Sequence, residues 1–452
     1  MALSAFSKMS RASVGLSWTG HGQIPLPSSA PSSRATTPIS DGHPSASIDV
    51  ECERDIVRAV CAAREGAYAV RAVGSQGSKN DCYCTDGVAL QFDRYNGIVA
   101  FDGHTVTVQA GVKIGRLNEF LRQRGVIIPT CGEWQGATVA GSIATGSHGG
   151  SSRHGIHSSS LVRVRLITAD GTPLEIDRHS PNFDHVAVSL GALGVISTVT
   201  LACVDAFHLE LETRVLPFSQ YVRDHAALNG AAEFFSAVWF PAARRVLTFA
   251  ANRVPPQAPT MARMERFSVS TFLLDAASRY LDINAVSDRR LARRCVDAGD
   301  RIVCPIPDRS TRVQVLRAIS RDWKAMEAAV PVSLAGGALE KLEGLLSNYR
   351  HAMLNAVGLR TSLPDSFSLS PCYERDTLWI DLFFKGGDPR FTGSLAATLE
   401  ELQGRCHWGK HIGLTECHLR GQYPRLPEFR QARAALDPNR TFCSPFTRRI
   451  AL

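Results

Sequence analysis

"TVAGSIATGSHGG", residues 138–150, holds four glycines and several Ser/Thr hydroxyls within thirteen positions. Such a stretch lets the backbone approach a ligand closely and offers many N–H and O–H donors. Two more Gly-dense stretches, 73–78 and 191–196, fall in the same half of the chain. One alone reads as tight turns. Three together point to a large phosphate-bearing ligand, whose pyrophosphate and ring must each find donors. The first of them sits in "RAVGSQGSKND" (71–81), a strand end running into a tight Gly/Ser turn. It matches neither common phosphate loop: no Gly-Lys-Ser/Thr follows, and the second half of a G-x-G-x-x-G is missing.

Around these stretches the chain is that of an ordinary globular protein. Its 452 residues predict two or three domains, since single cores rarely exceed roughly 250–300 residues. Apolar residues make up 44% and charged ones 20%, and 50 Lys+Arg against 42 Asp+Glu give a net charge of +8. The basic residues are scattered. Short clusters such as "SDRRLARR" (287–294) read as a solvated helix face, so nucleic-acid binding is not expected, while an anionic cofactor or substrate suits the balance. Twelve dispersed cysteines contain no CxxC, and Cys82-Tyr-Cys84 is too tight for an ordinary zinc site. Reduced thiols in a cytoplasmic enzyme are expected, with no metal. No apolar run reaches the roughly 20 residues of a membrane span. The start of the chain is Ser/Arg-rich with no acid before Asp41. It reads as disorder in preference to a transit peptide.

Residues 26–48 are Ser/Pro-rich and predict a mobile segment, with order from about Val50. Beyond it the pattern predicts a helix ending at Gly66, a strand "AYAVRAV" (67–73), a strand "HTVTVQAG" (104–111), and an amphipathic helix on Ile114, Leu117, Phe120 and Leu121. "LVRVRLITADGTPLEI" (161–176) predicts a hairpin turning at Asp170-Gly171, and "VISTVTLACV" (195–204) another strand. This α+β region lacks the regular alternation of a doubly wound nucleotide fold. From about residue 206 longer strands ("FSAVWFP", "TLWIDLFF") mix with helices, among them one over "RVQVLRAISRDWKAMEAAV" (312–330), which predicts a second α+β domain.

The residues "VGSQGS…CTDG", "TVAGSIATGSHG", "DGTPLEI…LGALGVISTVTL" and "HWGKH" resemble, in order and spacing, the flavin-dependent aldonolactone and alditol oxidases. Trp18-Thr-Gly and "LDPNRTF" are similar to that family's terminal signatures. The resemblance implies the two-domain, α+β vanillyl-alcohol-oxidase (PCMH-type) fold. An FAD-binding domain would comprise residues 1–205, with 26–48 as a flexible insertion, and the C-terminal segment 421–452 would return to it. A cap domain, 206–420, would hold a small-molecule substrate over the ring. It further implies that Ala72, Val73, Gly74, Ser75, Gln76, Gly77 and Ser78 wrap the pyrophosphate. Thr138, Gly141, Ser142, Thr145, Gly146, Ser147 and His148 would line the flavin. Val195 and Ile196 would contact the adenine end and His407 the isoalloxazine. For His148, capping of backbone groups is an equal reading. Lys410 matches the family lysine that stabilises reduced flavin and touches the substrate hydroxyl, and Arg360 the substrate-side arginine. The electron acceptor would be O2 or another oxidant.

Several positions depart from the family pattern. Its Glu-x-Arg pair is Gly358-Leu-Arg360 here, Glu133 replaces a serine, and Asp381 and Phe383 replace a histidine and a threonine. Gly77 stands where many of these oxidases carry the histidine bonded to the flavin, so FAD is expected without a covalent tether. The expected function is oxidation of an alcohol-type carbon by hydride transfer to flavin, with Lys410, Arg360, Glu133 and Asp381 at an altered substrate pocket. A C–N oxidation or an oxidative cyclisation in specialised metabolism, or a flavin-binding protein without catalysis, are the alternatives.

Overall fold

The computed structural model describes residues 43–130, 132, 134–254, 323–349, 352, 356–385, 388–411 and 416–452. The Trp18 signature, the basic 287–294 stretch and Glu133 lie outside them. Strands β1 (Ala46–Asp49), β2 (Val70–Val73) and β3 (Val88–Gln91) form a parallel sheet in the order β1-β3-β2. Pairing therefore begins at Ala46, inside the stretch whose composition predicts mobility. The ladder to β3 supplies partners that Ser/Pro content does not reveal. Helix α1 (Glu53–Gly66) packs Ile56, Ala59, Val60 and Ala63 inward, and Asp55 closes its first turn by accepting the Cys52 N–H at 2.9 Å.

An antiparallel five-stranded sheet follows in the order β4-β5-β9-β7-β8. Its strands are β4 (Ile98–Phe101), β5 (Thr105–Gln109), β7 (Leu161–Ile167), β8 (Pro173–Asp177) and β9 (Val195–Ala202). The expected hairpin joins β7 to β8, and Gly171 turns it with φ 85°. Between these strands come α2 (Ile114–Arg122), β6 (Val126–Ile127), α3 (Val139–Ala144) and α4 (Phe183–Val186); β6 pairs with β10 (Val204–Asp205).

The second half is built on a seven-stranded antiparallel sheet in the order β11-β13-β12-β15-β16-β14-β17. It comprises β11 (His208–Pro217), β12 (Phe234–Phe240), β13 (Arg245–Val254), β14 (Trp323–Pro331), β15 (Val357–Ser362), β16 (Thr377–Lys385) and β17 (Arg405–Cys406). The helix predicted over 312–330 is thus a strand from Trp323 onward. Its Ala, Met and Glu residues favour helix. Pairing on both edges and burial on both faces override that preference. Helices α5 (Phe218–Gly230), α6 (Ala335–Asn348) and α7 (Pro389–Glu401) cover one face of the sheet, burying Met326, Ala328, Val357, Leu359, Ile380 and Leu382. By the period-2 alternation of strands, Glu327, Gly358, Arg360, Trp379, Asp381 and Phe383 project from the other face.

The chain's end packs back on the first half. Helices α8 (Glu416–Gln422), α9 (Leu426–Leu436) and α10 (Pro445–Arg449) contribute Leu419, Phe429 and Phe446 to the same core as Ile56 and Val199. Arg449 forks onto buried Asp81 at 2.6 and 2.7 Å, just after the Gly/Ser turn. The turn is also tied to the loop after β17. Lys79 N–H donates to Gly409 O at 2.7 Å, and Asn80 Nδ2 donates to the carbonyls of Trp408 (2.8 Å) and Lys410 (2.6 Å). Asn80→Ala is expected to lower stability by about 1–3 kcal/mol by orphaning these carbonyls, seen as a fall in the urea midpoint at unchanged slope. Asn80→Asp is expected to cost more, because it sets a carboxylate against two acceptors.

Candidate active site

A cavity of about 670 Å³ opens between the Gly/Ser turn and the outward face of the seven-stranded sheet. Small-molecule sites span roughly 300–1,000 Å³. The three Gly-dense stretches meet on its wall. Ala72 to Ser78, Thr138, Gly141, Ser142, Thr145, Ser147, His148 and Ile196 all line it. Arg360, Asp381, His407 and Lys410 line the same space. Two expected residues do not. Gly146 turns the chain after α3 with φ 68°, and Val195 is buried in β9. The cradle is tight: Thr138 Oγ1 accepts the Gly141 N–H at 3.2 Å, and a Cβ on Gly74 or Gly141 would strike that hydroxyl. Lys113 Nζ donates to Ser75 Oγ at 2.9 Å, bringing a cation to the turn. A wall of closely approachable backbone and hydroxyls beside a cation fits a pyrophosphate-bearing ligand.

Gly77 is glycine for a steric reason. A Cβ there would overlap the indole of Trp134, and a Cβ on Gly136 would come within 2.9–3.0 Å of the ring's other side. The left-handed residue of this turn is Gln76, with φ 53°.

The sheet end of the cavity is one rung of cross-strand neighbours. Glu327 on β14 stands opposite Asp381 on β16, which stands opposite Gly358 on β15. Directly opposed residues project to the same side, so both carboxylates face the cavity. Lys410 bridges them, its Nζ 3.1 Å from Asp381 Oδ1 and 3.4 Å from Glu327 Oε2, while Arg360 Nη1 lies 3.8 Å from Glu327 Oε1. Lys410 reaches this point because the chain bends out over Glu327. The His407 N–H donates to Glu327 O at 2.8 Å, the His411 N–H to Ala325 O at 2.7 Å, and the residues between loop over the strand.

Two acids at one site split their titrations. Burial, and next the charge of Glu327, push Asp381 up to about 6. Burial also opposes the ionised form of Glu327, yet Lys410 and the neighbouring histidines together hold it well below the usual carboxylate range. Burial takes His407 down to about 3, so its ring is neutral. Its Nδ1 accepts the Gly409 N–H at 2.9 Å, which leaves the proton on Nε2. His148 stacks on Trp379 with centroids 3.8 Å apart and planes 6° from parallel, and its Nδ1 donates to Gly149 O at 2.9 Å. It caps a backbone carbonyl and also lines the cavity.

Glu327 Oε1 lies 3.0 Å from His148 Nε2, which holds this buried oxygen in place. His148, Glu327 and His407 bring one ligand atom each within 4.8 Å of one another. Because Arg360 and Lys410 already face the two Glu327 oxygens, the cluster is an ion-pair network, not a cation site. Glu327 and Trp134 were not evident from the sequence. A lone acid inside the apolar run "AMEAAV" was the available signal for the first; nothing marked the second.

The comparisons with known proteins follow the same division. The D-arabinono-1,4-lactone oxidase family pattern matches residues 199–450, and an FAD binding domain pattern matches residues 44–177. The chain is 29% identical over 419 residues to L-gulono-1,4-lactone dehydrogenase of Mycobacterium tuberculosis, covering 90% of this chain and 96% of that one. It is 28% identical to L-gulonolactone oxidase of Bos taurus, covering 87% and 92%. Cholesterol oxidase from Brevibacterium sterolicum shares the fold at a TM-score of 0.70 with 13% identity, over 89% of this chain and 93% of that one. An FAD cradle joined to a sheet of the lactone-oxidase pattern thus places the chain in the D-arabinono-1,4-lactone oxidase family, as an FAD-dependent oxidoreductase acting on CH–OH groups.

Proposed function

We propose that this protein oxidises a secondary alcohol carbon of a neutral, hydroxyl-rich small molecule of the aldonolactone type, in a pocket whose carboxylate has changed strands. The observation that carries this reading is the rung Gly358–Asp381–Glu327 bridged by Lys410 at the cavity. The family's carboxylate is missing at 358, but a Cβ there would lie 3.4 Å from the Asp381 Cβ. Asp381 therefore supplies a carboxylate at the same level of the sheet and on the same side. The charges favour a neutral substrate. Two acids face Lys410 and Arg360, leaving no surplus carboxylate for an amine.

FAD, held by the Gly-dense cradle, would supply the acceptor for the hydride of the carbinol carbon. The hydroxyl proton passes to Asp381, whose raised pKa leaves it ionised at neutral pH and able to hold a proton. Lys410 donates hydrogen bonds to the substrate oxygen and keeps Asp381 and Glu327 together. Glu327, paired with His148 and Lys410, keeps the charge of this end of the cavity balanced. Neutral His407 offers its Nε2–H to the ring system. FAD is held without a covalent link, because glycine at 77 has no linking atom and Trp134 fills the space a side chain would need. The domain boundaries at about 205 and 420 suit this division of labour. Eight cysteines among the described residues are free thiols, which supports a reducing, cytoplasmic setting.

Three outcomes are expected. Acid precipitation releases flavin into the supernatant; a yellow pellet contradicts the untethered reading. In anaerobic mixing with L-gulono-1,4-lactone, the rate of flavin bleaching rises with pH through about 6 and then levels, as a base requires. Asp381→Asn removes that limb and slows reduction by about 10²-fold or more; a failure of hydroxylactones to bleach the flavin overturns the substrate class. Lys410→Met slows reduction by a comparable factor while changing FAD affinity little, and unchanged reduction kinetics would remove Lys410 from the chemistry.

A further inference from the structure

The cavity wall along the seven-stranded sheet changes character from one rung to the next. At the middle rung Glu327 and Asp381 stand opposite each other, bridged by Lys410. One rung to one side lies Arg360. One rung to the other side Phe383 on β16 stands opposite Ala325 on β14, and neither side chain can donate or accept a hydrogen bond. Phe383 lines the cavity together with Asp381, Arg360 and Lys410 and is 9% exposed. Its chain neighbours Leu382 and Phe384 belong to the apolar core beneath the helices, whereas Phe383 belongs neither to that core nor to the one around Val199. Its ring forms wall instead of filling core.

The Lys410 ammonium lies 5.3 Å from the centre of that ring, within cation–π reach. The aromatic face is therefore fixed beside the group that grips the substrate oxygen. Such a face accepts C–H groups, and a hydroxyl pressed against it gives up water without gaining a partner. Same-face residues of a strand are about 7 Å apart. That step matches the span from a ring carbinol of a γ-lactone to the far end of its side chain. We propose that Phe383 is the specificity-determining residue for that far end, selecting hydroxylactones whose side chain ends in a methyl or short alkyl group over those ending in a hydroxymethyl. The hydroxyls near the carbinol face Arg360, Glu327 and Asp381, and the tail lies on Phe383. This rests on a hydroxylactone being the substrate.

The test is anaerobic mixing of the flavin-loaded full-length chain with L-gulono-1,4-lactone and with its 6-deoxy derivative, which differ by one hydroxyl. The wild-type chain is expected to half-saturate at a concentration of the 6-deoxy lactone about tenfold lower or more. The limiting bleaching rates should differ less than about threefold, because the change is remote from the carbinol. The same preference should appear in binding alone, as a larger rise in melting temperature with the 6-deoxy lactone, measured on Asp381→Asn to hold turnover back. Phe383→Leu, which stays apolar, should keep the preference. Phe383→Thr, which brings a hydroxyl to the wall, should shrink it to less than about twofold or reverse it. Equal half-saturation by the two lactones in the wild-type chain, a preference for the parent lactone, or a preference untouched in Phe383→Thr overturns the proposal. The wild-type comparison decides even where Phe383→Thr does not fold. If neither lactone bleaches the flavin, the hydroxylactone assignment fails first and this proposal falls with it.

Discussion

The loop Trp408–Lys410 is held from two sides, and the site depends on that double hold. On one side, the backbone N–H groups of His407 and His411 pair with β14, which forces the intervening residues to arch over Glu327. On the other, Lys79 and the Asn80 side chain take the carbonyls of Trp408, Gly409 and Lys410. Trp408 anchors the arch, fully buried with its indole N–H on Leu369 O at 2.6 Å. The Gly/Ser turn and the carboxylate rung belong to different sheets, yet the same few residues set the distance between them. A loop joined to only one side would leave Lys410 free to leave the acids, whose mutual repulsion across the strands would then go unrelieved.

That repulsion explains how one fold keeps two buried acids in different protonation regimes. Glu327 has His148, Arg360 and Lys410 around its carboxylate, so its charge is met from several directions. Asp381 shares only Lys410 at close range and lies in the field of Glu327, so the cost of ionisation falls on it. A base needs that poised state; a fixed counter-charge needs the opposite one. Asp381 on β16 shares a rung with Gly358 on β15 and Glu327 on β14, so its carboxylate faces that of Glu327.

Much of this was legible in the sequence because it is local. The Gly-rich turns, the hairpin at Asp170-Gly171 and the amphipathic α2 follow from a few adjacent residues, and the turn residues named for FAD do line one cavity. Glu327 was not legible, because "WKAMEAAV" has helix-forming residues and becomes a strand only through partners far along the chain. The same dependence hid the relation between Gly358 and Asp381, visible in sequence as two unrelated substitutions and in register as neighbours. Gly146 shows another limit: its glycine serves a positive φ, and composition cannot separate a turn from a ligand contact.

The features at the two ends of the 71–78 segment differ in kind. At Gly77 the space is filled: the Trp134 indole lies between two glycines that must both lack a Cβ. At Arg71 a buried charge is short of hydrogen-bond acceptors. The first reduces empty volume beside the cofactor. The second raises the free energy of the folded chain, because an unpaired buried ion costs several kcal/mol.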